Sequence, residues 1–183
     1  MRKAPIMIAI AVLLCAGMPA QQSSGTQGRS FVSFQPAGPV SVAVGRKAPV
    51  TFTFRVENGF HINSNKPMTE ELIPTQMHFT LPGEIAIGKV TYPAGQLMSF
   101  PFDPTQKLSV YSGDVVIHAM VIVPQDASPG AMTVHGELKY QACDNNACYP
   151  PKKLPISFDV KVTTGSGRRP AARGNAQSPH IHN

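Results

Sequence analysis

The sequence has no apolar segment long enough to cross a membrane as a helix. Its most apolar stretch, residues 6–14, is much shorter than the ~18 to 20 residues that a membrane-spanning helix requires. This stretch follows Arg2 and Lys3 and precedes the small residue Ala20, which is the arrangement of a secretory signal peptide. We therefore expect residues 1–20 to be a signal peptide cleaved near Ala20, and the mature protein to be periplasmic or otherwise exported.

The central part of the chain also lacks an excess of positive charge. The whole chain carries 16 Lys and Arg against 10 Asp and Glu, a net charge of +6. Between Ser30 and Val162, however, the two classes are equal at ten each, and the excess lies in Arg29 and the two ends. A basic stripe on a folded domain, the footprint of phosphate binding, is missing, so nucleic acid is not an expected partner.

The two flanks lack any apolar periodicity. Residues 21–29 and 164–183 are rich in Gln, Ser, Gly, Pro and Arg, a composition typical of disordered segments. We interpret them as a flexible leader and a disordered basic tail. Residues 30–163 then form one domain, which we expect to be monomeric.

Helical periodicity is absent as well, and 18 prolines would interrupt helices repeatedly. What the central part does contain is short segments rich in Val, Ile, Phe, Thr and Tyr, several with an apolar residue at every second position. These predicted strands cover residues 40–44, 50–56, 76–81, 84–91, 115–123, 132–140 and 154–162. Turn sequences such as Asn58-Gly59 and Pro82-Gly83 separate them. The pattern predicts an all-β fold, an antiparallel immunoglobulin-like β-sandwich of two sheets.

Motifs of the common enzymes and of metal sites are missing. The chain has no Gly-x-Ser-x-Gly elbow, no phosphate-binding glycine loop and no Cys-x-x-Cys or His-x-x-x-His spacing. Four histidines are scattered through the central part, at His61, His78, His118 and His135. We expect neither a cofactor nor a metal ion, although a metal-binding exported protein is one of three hypotheses that the sequence leaves open.

Cysteine is scarce, and only Cys143 and Cys148 remain after signal removal. An even pair in an oxidising compartment is expected to form a disulfide. The four residues between them are turn-forming, so the bond should close a short loop with Cα atoms ~4.4 to 6.8 Å apart. We predict that the following residues form a rim around the cysteine pair: Tyr140, Asn145, Asn146, Tyr149 and Pro150.

Two interpretations of this disulfide compete. A structural bond is the commoner case in exported β-domains, but a loop of six residues removes only ~2 kcal/mol of unfolded-state entropy. A bond that contributes so little to stability suits a pair that opens and closes by thiol–disulfide exchange. Lys152 and Lys153 follow closely, and cations near a thiol favour its ionised, reactive form.

The surroundings of the pair resemble a known family. Residues 140–151, YQACDNNACYPP, resemble the active-site segment of the N-terminal periplasmic domain of DsbD, the thiol:disulfide interchange protein. Three upstream segments are similar to the same family, and the likeness covers residues 31–162. The three upstream segments are NGFHINSNKP at 58–67, LIPT at 72–75 and VTYP at 90–93.

The resemblance implies an immunoglobulin-like domain that passes reducing equivalents from a membrane reductant to periplasmic thioredoxin-fold proteins, with a connection to cytochrome c maturation. It implies that Cys148 forms the mixed disulfide with a partner and that Cys143 resolves it. It also implies an aromatic cap loop over the cysteines, for which Phe102 is the first candidate and Phe100 the second. The membrane reductant would be a separate protein.

Three hypotheses follow. The first is an exported protein-disulfide reductase or electron-transfer component that works through Cys143 and Cys148. The second is a non-enzymatic exported β-sandwich that serves as an interaction module and keeps the disulfide as a structural bond. The third is the metal-binding protein mentioned above.

Overall fold

The computed structural model describes residues 29–165. The predicted signal peptide (1–20), and the leader (21–29) and tail (164–183) apart from residues 29, 164 and 165, lie outside the described residues. Twelve strands and no helix occur within the described range. The strands are β1 (Val32–Gln35), β2 (Val40–Ala43), β3 (Lys47–Val56), β4 (His61–Asn63), β5 (Gln76–Thr80), β6 (Ala86–Ile87), β7 (Gln96–Phe100), β8 (Asp103–Tyr111), β9 (Asp114–Ile122), β10 (Gly130–Tyr140), β11 (Ala142–Cys143) and β12 (Lys152–Thr163).

Two four-stranded sheets form the body of the domain, in the orders β1-β3-β9-β6 and β2-β12-β10-β5. Their buried side chains come from alternate positions, as Phe52, Phe54 and Val56 do on β3. Across the core, the Phe52 ring meets the Phe158 ring of β12 with centroids 5.2 Å apart in an edge-on arrangement. The all-β immunoglobulin-like sandwich predicted from the sequence is confirmed.

A third sheet, in the order β11-β4-β8-β7, was not predicted. Its outer half is the hairpin of β7 and β8, with its own small apolar cluster of Phe100, Leu108 and Val110. The tip of this hairpin contains Phe100 and Phe102, the candidates for the cap loop that the family resemblance implied. The third sheet is the one that holds the cysteine pair, because Cys143 ends β11.

Two further predictions need correction. The strand expected over 84–91 shrinks to the two residues of β6, after which the chain follows β9 with only an isolated bridge between Thr91 and His118. Gly88 follows β6 directly, and a glycine inside a strand weakens its pairing. The sheets are also not entirely antiparallel, since β2 pairs with β12 in parallel.

Turns between the strands use glycine where the backbone requires it. Gly59 and Gly113 have φ values of 84° and 64°, which side chains with a Cβ rarely adopt. Gly59 lies in the Asn58-Gly59 turn predicted from the sequence. Gly59 leads directly into Phe60 and β4, and β4 is the strand that lies next to the cysteines.

Candidate functional site

Cys143 and Cys148 form a disulfide at the neck of a tight hairpin, with an S–S distance of 1.99 Å. The two residues lie directly opposite each other as an isolated antiparallel bridge. Backbone hydrogen bonds flank the pair on both sides, from Tyr149 N–H to Ala142 O (2.8 Å) and from Asp144 N–H to Ala147 O (3.0 Å). The disulfide therefore joins a pair of residues that backbone hydrogen bonds already hold opposite each other.

The Cα atoms of the two cysteines are 3.9 Å apart, closer than the range expected from the sequence. Their position in the ladder favours a separation near the lower end of that range. The flanking hydrogen bonds make Cys143 and Cys148 a non-hydrogen-bonded antiparallel pair, the type in which opposed Cα atoms approach most closely, to about 4.5 Å.

The two sulfur-bearing residues differ in accessibility. Cys143 is completely buried, whereas Cys148 is half-buried at the outer side of the hairpin. Thiol–disulfide exchange requires a partner thiolate to approach one sulfur along the S–S axis. Of the two cysteines, Cys148 is the one that the surface leaves within reach.

Asp144 organises the loop between the cysteines. Its Oδ1 accepts hydrogen bonds from the backbone N–H groups of Asn146 (2.7 Å) and Ala147 (2.9 Å), and its Oδ2 accepts one from the Tyr149 hydroxyl (2.7 Å). The hydroxyl of Tyr149 and the two N–H donors favour the charged carboxylate and lower the pKa of Asp144 below its usual value. An anion is therefore held one residue after Cys143 at neutral pH.

His61 lies on the other side of Cys143. The β-ladder pairs Cys143 with His61 of β4, so the row across the sheet reads Cys148, Cys143, His61. Directly opposed side chains in a sheet share one face and lie about 4.5–5.5 Å apart at Cβ. The imidazole is 4% exposed, and its Nε2 has no hydrogen-bond partner among residues 29–165.

Burial controls the ionisation of His61. It lowers the pKa of the imidazole to about 4, and the nearby negative charge of Asp144 opposes this effect only in part. His61 is therefore neutral at physiological pH. The cysteine pair consequently has the Asp144 carboxylate next to it on the loop and the uncharged His61 imidazole next to it on the neighbouring strand β4.

A comparison with family models gives one match, which covers residues 29–159 and is described as "Thiol:disulfide interchange protein DsbD, N-terminal". The chain belongs to the DsbD N-terminal domain family. Family membership together with the Cys143–Cys148 disulfide identifies a thiol–disulfide exchange domain. A search of curated proteins finds no match.

Solved structures similar to the chain include members of the same family. The reduced DsbD N-terminal domain of Neisseria meningitidis is 17% identical over 61% of this chain and 77% of that one, with a TM-score of 0.42. The DsbD N-terminal domain in its complex with the PilB N-terminal domain, from the same organism, is 19% identical over 68% and 80%, with a TM-score of 0.41. The N-terminal periplasmic domain of ScsB from Proteus mirabilis is 11% identical over 69% of this chain and 44% of that one, with a TM-score of 0.46.

The two aromatic residues considered as caps in this DsbD-family domain form one stack that begins at His61, the residue paired with Cys143. The Phe100 ring stacks on His61 with centroids 3.9 Å apart, and the Phe102 ring stacks on Phe100 at 5.5 Å. Phe100 is buried, while Phe102 is 37% exposed at the turn between β7 and β8. The second candidate therefore lies closer to the site than the first.

The predicted rim residues divide into three groups. Asn145, Asn146 and Pro150 are exposed around the hairpin, and Tyr149 is half-buried beside it. Tyr140 differs from the expectation, because its side chain is 1% exposed and belongs to the main core. It is the last residue of β10, and its position in the inward-facing row of that strand explains the burial.

The two lysines after the hairpin have other partners than the sulfurs. Lys152 Nζ donates to the backbone oxygen of Arg29 and lies 5.3 Å from the centre of the Phe31 ring. Lys153 Nζ forms an ion pair with Glu137 at 2.8 Å. Each of these lysines therefore has a polar partner other than a cysteine.

Sequence reasoning missed a polar network beneath the hairpin. The Gln141 side-chain amide donates to Tyr149 O (3.3 Å), and its Oε1 accepts from Asn63 Nδ2 (3.0 Å) and Ile73 N–H (3.1 Å). The network links the segment directly after Cys148 to β4 and to the loop at residue 73. The only sequence clue was that Asn63, Ile73 and Gln141 all lie within the segments that resemble the family.

Neither a metal site nor a membrane helix is found in the part of the chain that the structure describes. No three His, Cys, Asp or Glu side chains converge there on a point that could hold a metal ion. No helix of residues 29–165 is long and apolar enough to cross a bilayer.

Proposed function

We propose that this chain is an exported domain that passes reducing equivalents from a separate membrane thiol reductant to periplasmic thioredoxin-fold proteins. The observation that carries the proposal is the unequal exposure of the two cysteines within a DsbD-family hairpin, with Cys143 buried and Cys148 half-buried. Cys148 is the contact sulfur in this scheme and Cys143 the resolving one. The domain acts as a monomer after cleavage of its signal peptide near Ala20.

The exchange proceeds in two balanced steps. The Cys148 thiolate of the reduced domain attacks the disulfide of the partner, so a Cys148–partner disulfide forms and one partner sulfur leaves as a thiolate. The Cys143 thiolate then attacks the Cys148 sulfur, the Cys143–Cys148 bond forms, and the second partner sulfur leaves and takes up a proton. The partner has gained two electrons, and the membrane reductant returns two electrons to the domain.

Phe100 and Phe102 act together as the cap in this proposal. Phe100 forms the inner layer because it stacks on His61, the residue opposite Cys143, and Phe102 forms the outer layer. Partner binding would displace both rings from the approach to Cys148. The location of both rings at the tip of the β7–β8 hairpin favours such a movement, because β4 pairs with β8 only at the other end of the hairpin, at Val110 and Tyr111.

The test is a trapping experiment with a purified, oxidised thioredoxin-fold protein. The reduced Cys143→Ser variant should accumulate a mixed disulfide through Cys148, visible as a heavier band without reductant and as the summed mass. The matched Cys148→Ser variant should trap little. Equal trapping by both variants would reject the roles assigned to the two cysteines, and the absence of trapping by either would reject exchange with this class of partner.

The burial of Cys143, taken without the partial exposure of Cys148, also fits a second candidate, an interaction module in which the disulfide is only structural. Titration of the wild-type protein against a glutathione buffer separates the two. A midpoint far below about −300 mV identifies a structural bond, whereas a higher midpoint identifies one that cellular thiol systems can reduce.

A further inference from the structure

A second link crosses the hairpin beside the disulfide. Asp144 directly follows Cys143 and Tyr149 directly follows Cys148, and the Tyr149 hydroxyl donates to Asp144 Oδ2 at 2.7 Å. This hydrogen bond therefore connects the same two arms of the hairpin as the S–S bond. Unlike the S–S bond, it contains no group that changes when the cysteines are reduced.

Both ends of the link are fixed by further contacts. The other oxygen of Asp144 accepts the N–H groups of Asn146 and Ala147, which holds the carboxylate on the first arm of the loop. The Tyr149 ring packs against Phe31 and Phe60 of the domain body, with ring centroids 4.7 and 5.9 Å away.

The backbone of Tyr149 is fixed as well. Its carbonyl oxygen accepts from the Gln141 side chain at 3.3 Å, and its N–H donates to Ala142 O at 2.8 Å. The second arm is thereby held to the strand that leads into Cys143. None of these contacts involves a sulfur atom.

We propose that the Asp144–Tyr149 hydrogen bond is a non-covalent clamp that keeps Cys148 beside Cys143 when the disulfide is reduced, so that Asp144 and Tyr149 are positioning residues for exchange. The inference rests on the proposed function. Its role is in the resolving step, in which the Cys143 thiolate attacks Cys148, the S–S bond between them forms and the partner leaves as a thiolate. A hairpin that stays closed keeps the two sulfurs within reach during this attack.

The clamp and the disulfide favour each other, because each lowers the entropic cost of closing the loop for the other. Such coupling is reciprocal in binding equilibria. Loss of the clamp must then make the disulfide easier to reduce. A structural hydrogen bond elsewhere in the domain would change the stability of the fold but not this equilibrium.

The test measures the equilibrium of the purified protein with reduced and oxidised glutathione. Tyr149→Phe removes only the hydroxyl and keeps the packed ring. We expect its equilibrium constant for disulfide formation to fall about three- to tenfold, the ratio that one hydrogen bond of ordinary net strength provides. The rate at which Cys143 resolves a Cys148–glutathione mixed disulfide should fall in parallel.

Thr133→Val is the matched control. It removes another hydroxyl-to-carboxylate hydrogen bond of 2.7 Å, from Thr133 to Asp159, between strands β10 and β12. Its constant should equal that of the wild type within a factor of two. Asp144→Asn keeps an acceptor for the two N–H groups but loses the charge, and it should lie between the wild type and Tyr149→Phe.

An unchanged or increased constant for Tyr149→Phe would overturn the clamp. If glutathione cannot reduce the wild-type disulfide at all, the proposed function fails instead. The same comparison of variants can then be made with dithiothreitol as the reductant, which tests the clamp independently.

Discussion

Replacement of His61 by phenylalanine should change how the stability of the protein depends on pH. The pKa of His61 is lowered to about 4 in the folded protein because the imidazole is buried, whereas the ordinary value is 6.5. Between these values the unfolded chain binds a proton that the folded protein does not. The contribution of His61 to the free energy of unfolding is thus complete above about pH 6.5 and is lost as the pH falls towards 4.

The size of the effect follows from the same two pKa values. The whole difference corresponds to about 3 kcal/mol, and the part lost between pH 7 and pH 5 is about 2 kcal/mol. Phenylalanine keeps an aromatic ring for Phe100 to stack on and removes the titrating nitrogens. It also removes the buried Nε2 that has no hydrogen-bond partner in the described part of the chain.

The assay is urea unfolding of the oxidised protein at pH 7 and pH 5. The wild type should lose about 2 kcal/mol more than His61→Phe between these conditions, since all other titrating groups are shared. His135→Gln, at an exposed position, is the control and should behave like the wild type. If the wild type and His61→Phe lose the same free energy, His61 is not held neutral by burial, and the description of the site is wrong on this point.

Two further predictions concern the β7–β8 hairpin and Gly95, the residue that precedes it. Gly95→Ala would place a Cβ 2.2 Å from Ser109 Oγ, so thermal unfolding should show a loss of about 1–3 kcal/mol. Gly38→Ala, which meets nothing within 4 Å, should differ from the wild type by less than half of that, and equal effects would contradict this account. Phe100→Ala should speed reduction of the disulfide by a small phosphine about two- to tenfold, because one aromatic stacking contact is worth about 0.5–1.5 kcal/mol. Phe102→Ala should have the smaller effect because the Phe102 ring stacks on Phe100, one layer further from His61, and the reverse order would contradict the layered cap.

The strands of the main core were predictable because one face of each is buried. On β3 the buried residues Phe52, Phe54 and Val56 alternate with more exposed ones, and the same holds for Val115 to Val121 on β9. Alternation in the sequence is the direct trace of this arrangement. The sequence was sufficient for these two strands, whereas the short edge strand β1 (Val32–Gln35) of the same sheet was not predicted.

The β7–β8 hairpin was not predictable on the same grounds. Four of the five residues of β7 are exposed, so both faces of the strand meet solvent and no alternation results. Pro101 and Pro104 at the tip of this hairpin are residues typical of a loop. In the structure, β4 pairs with β8 only at Val110 and Tyr111, which lie at the opposite end of β8 from these prolines. Prolines are tolerated near the hairpin tip because no strand pairs there on that side.

The site was predictable only in its local part. Cys143 and Cys148 are close in sequence, and the turn residues between them indicated a closed loop. The position of His61 opposite Cys143 depends on the pairing of β4 with β11, two strands far apart in the chain. No spacing or composition encodes such a pairing, so the neighbour of the buried cysteine came only from the structure.

The row Cys148, Cys143, His61 also sets an order in which the site can be assembled. The disulfide closes a loop of six residues, which the unfolded chain can form at small entropic cost. The contacts on the other side of Cys143 are non-local and must wait for β4 and β11 to pair, and the Phe100 ring reaches His61 only when the β7–β8 hairpin has joined the same sheet. The newly made chain can therefore form the disulfide early, whereas the stacking of Phe100 on His61 has to wait for these non-local strand pairings.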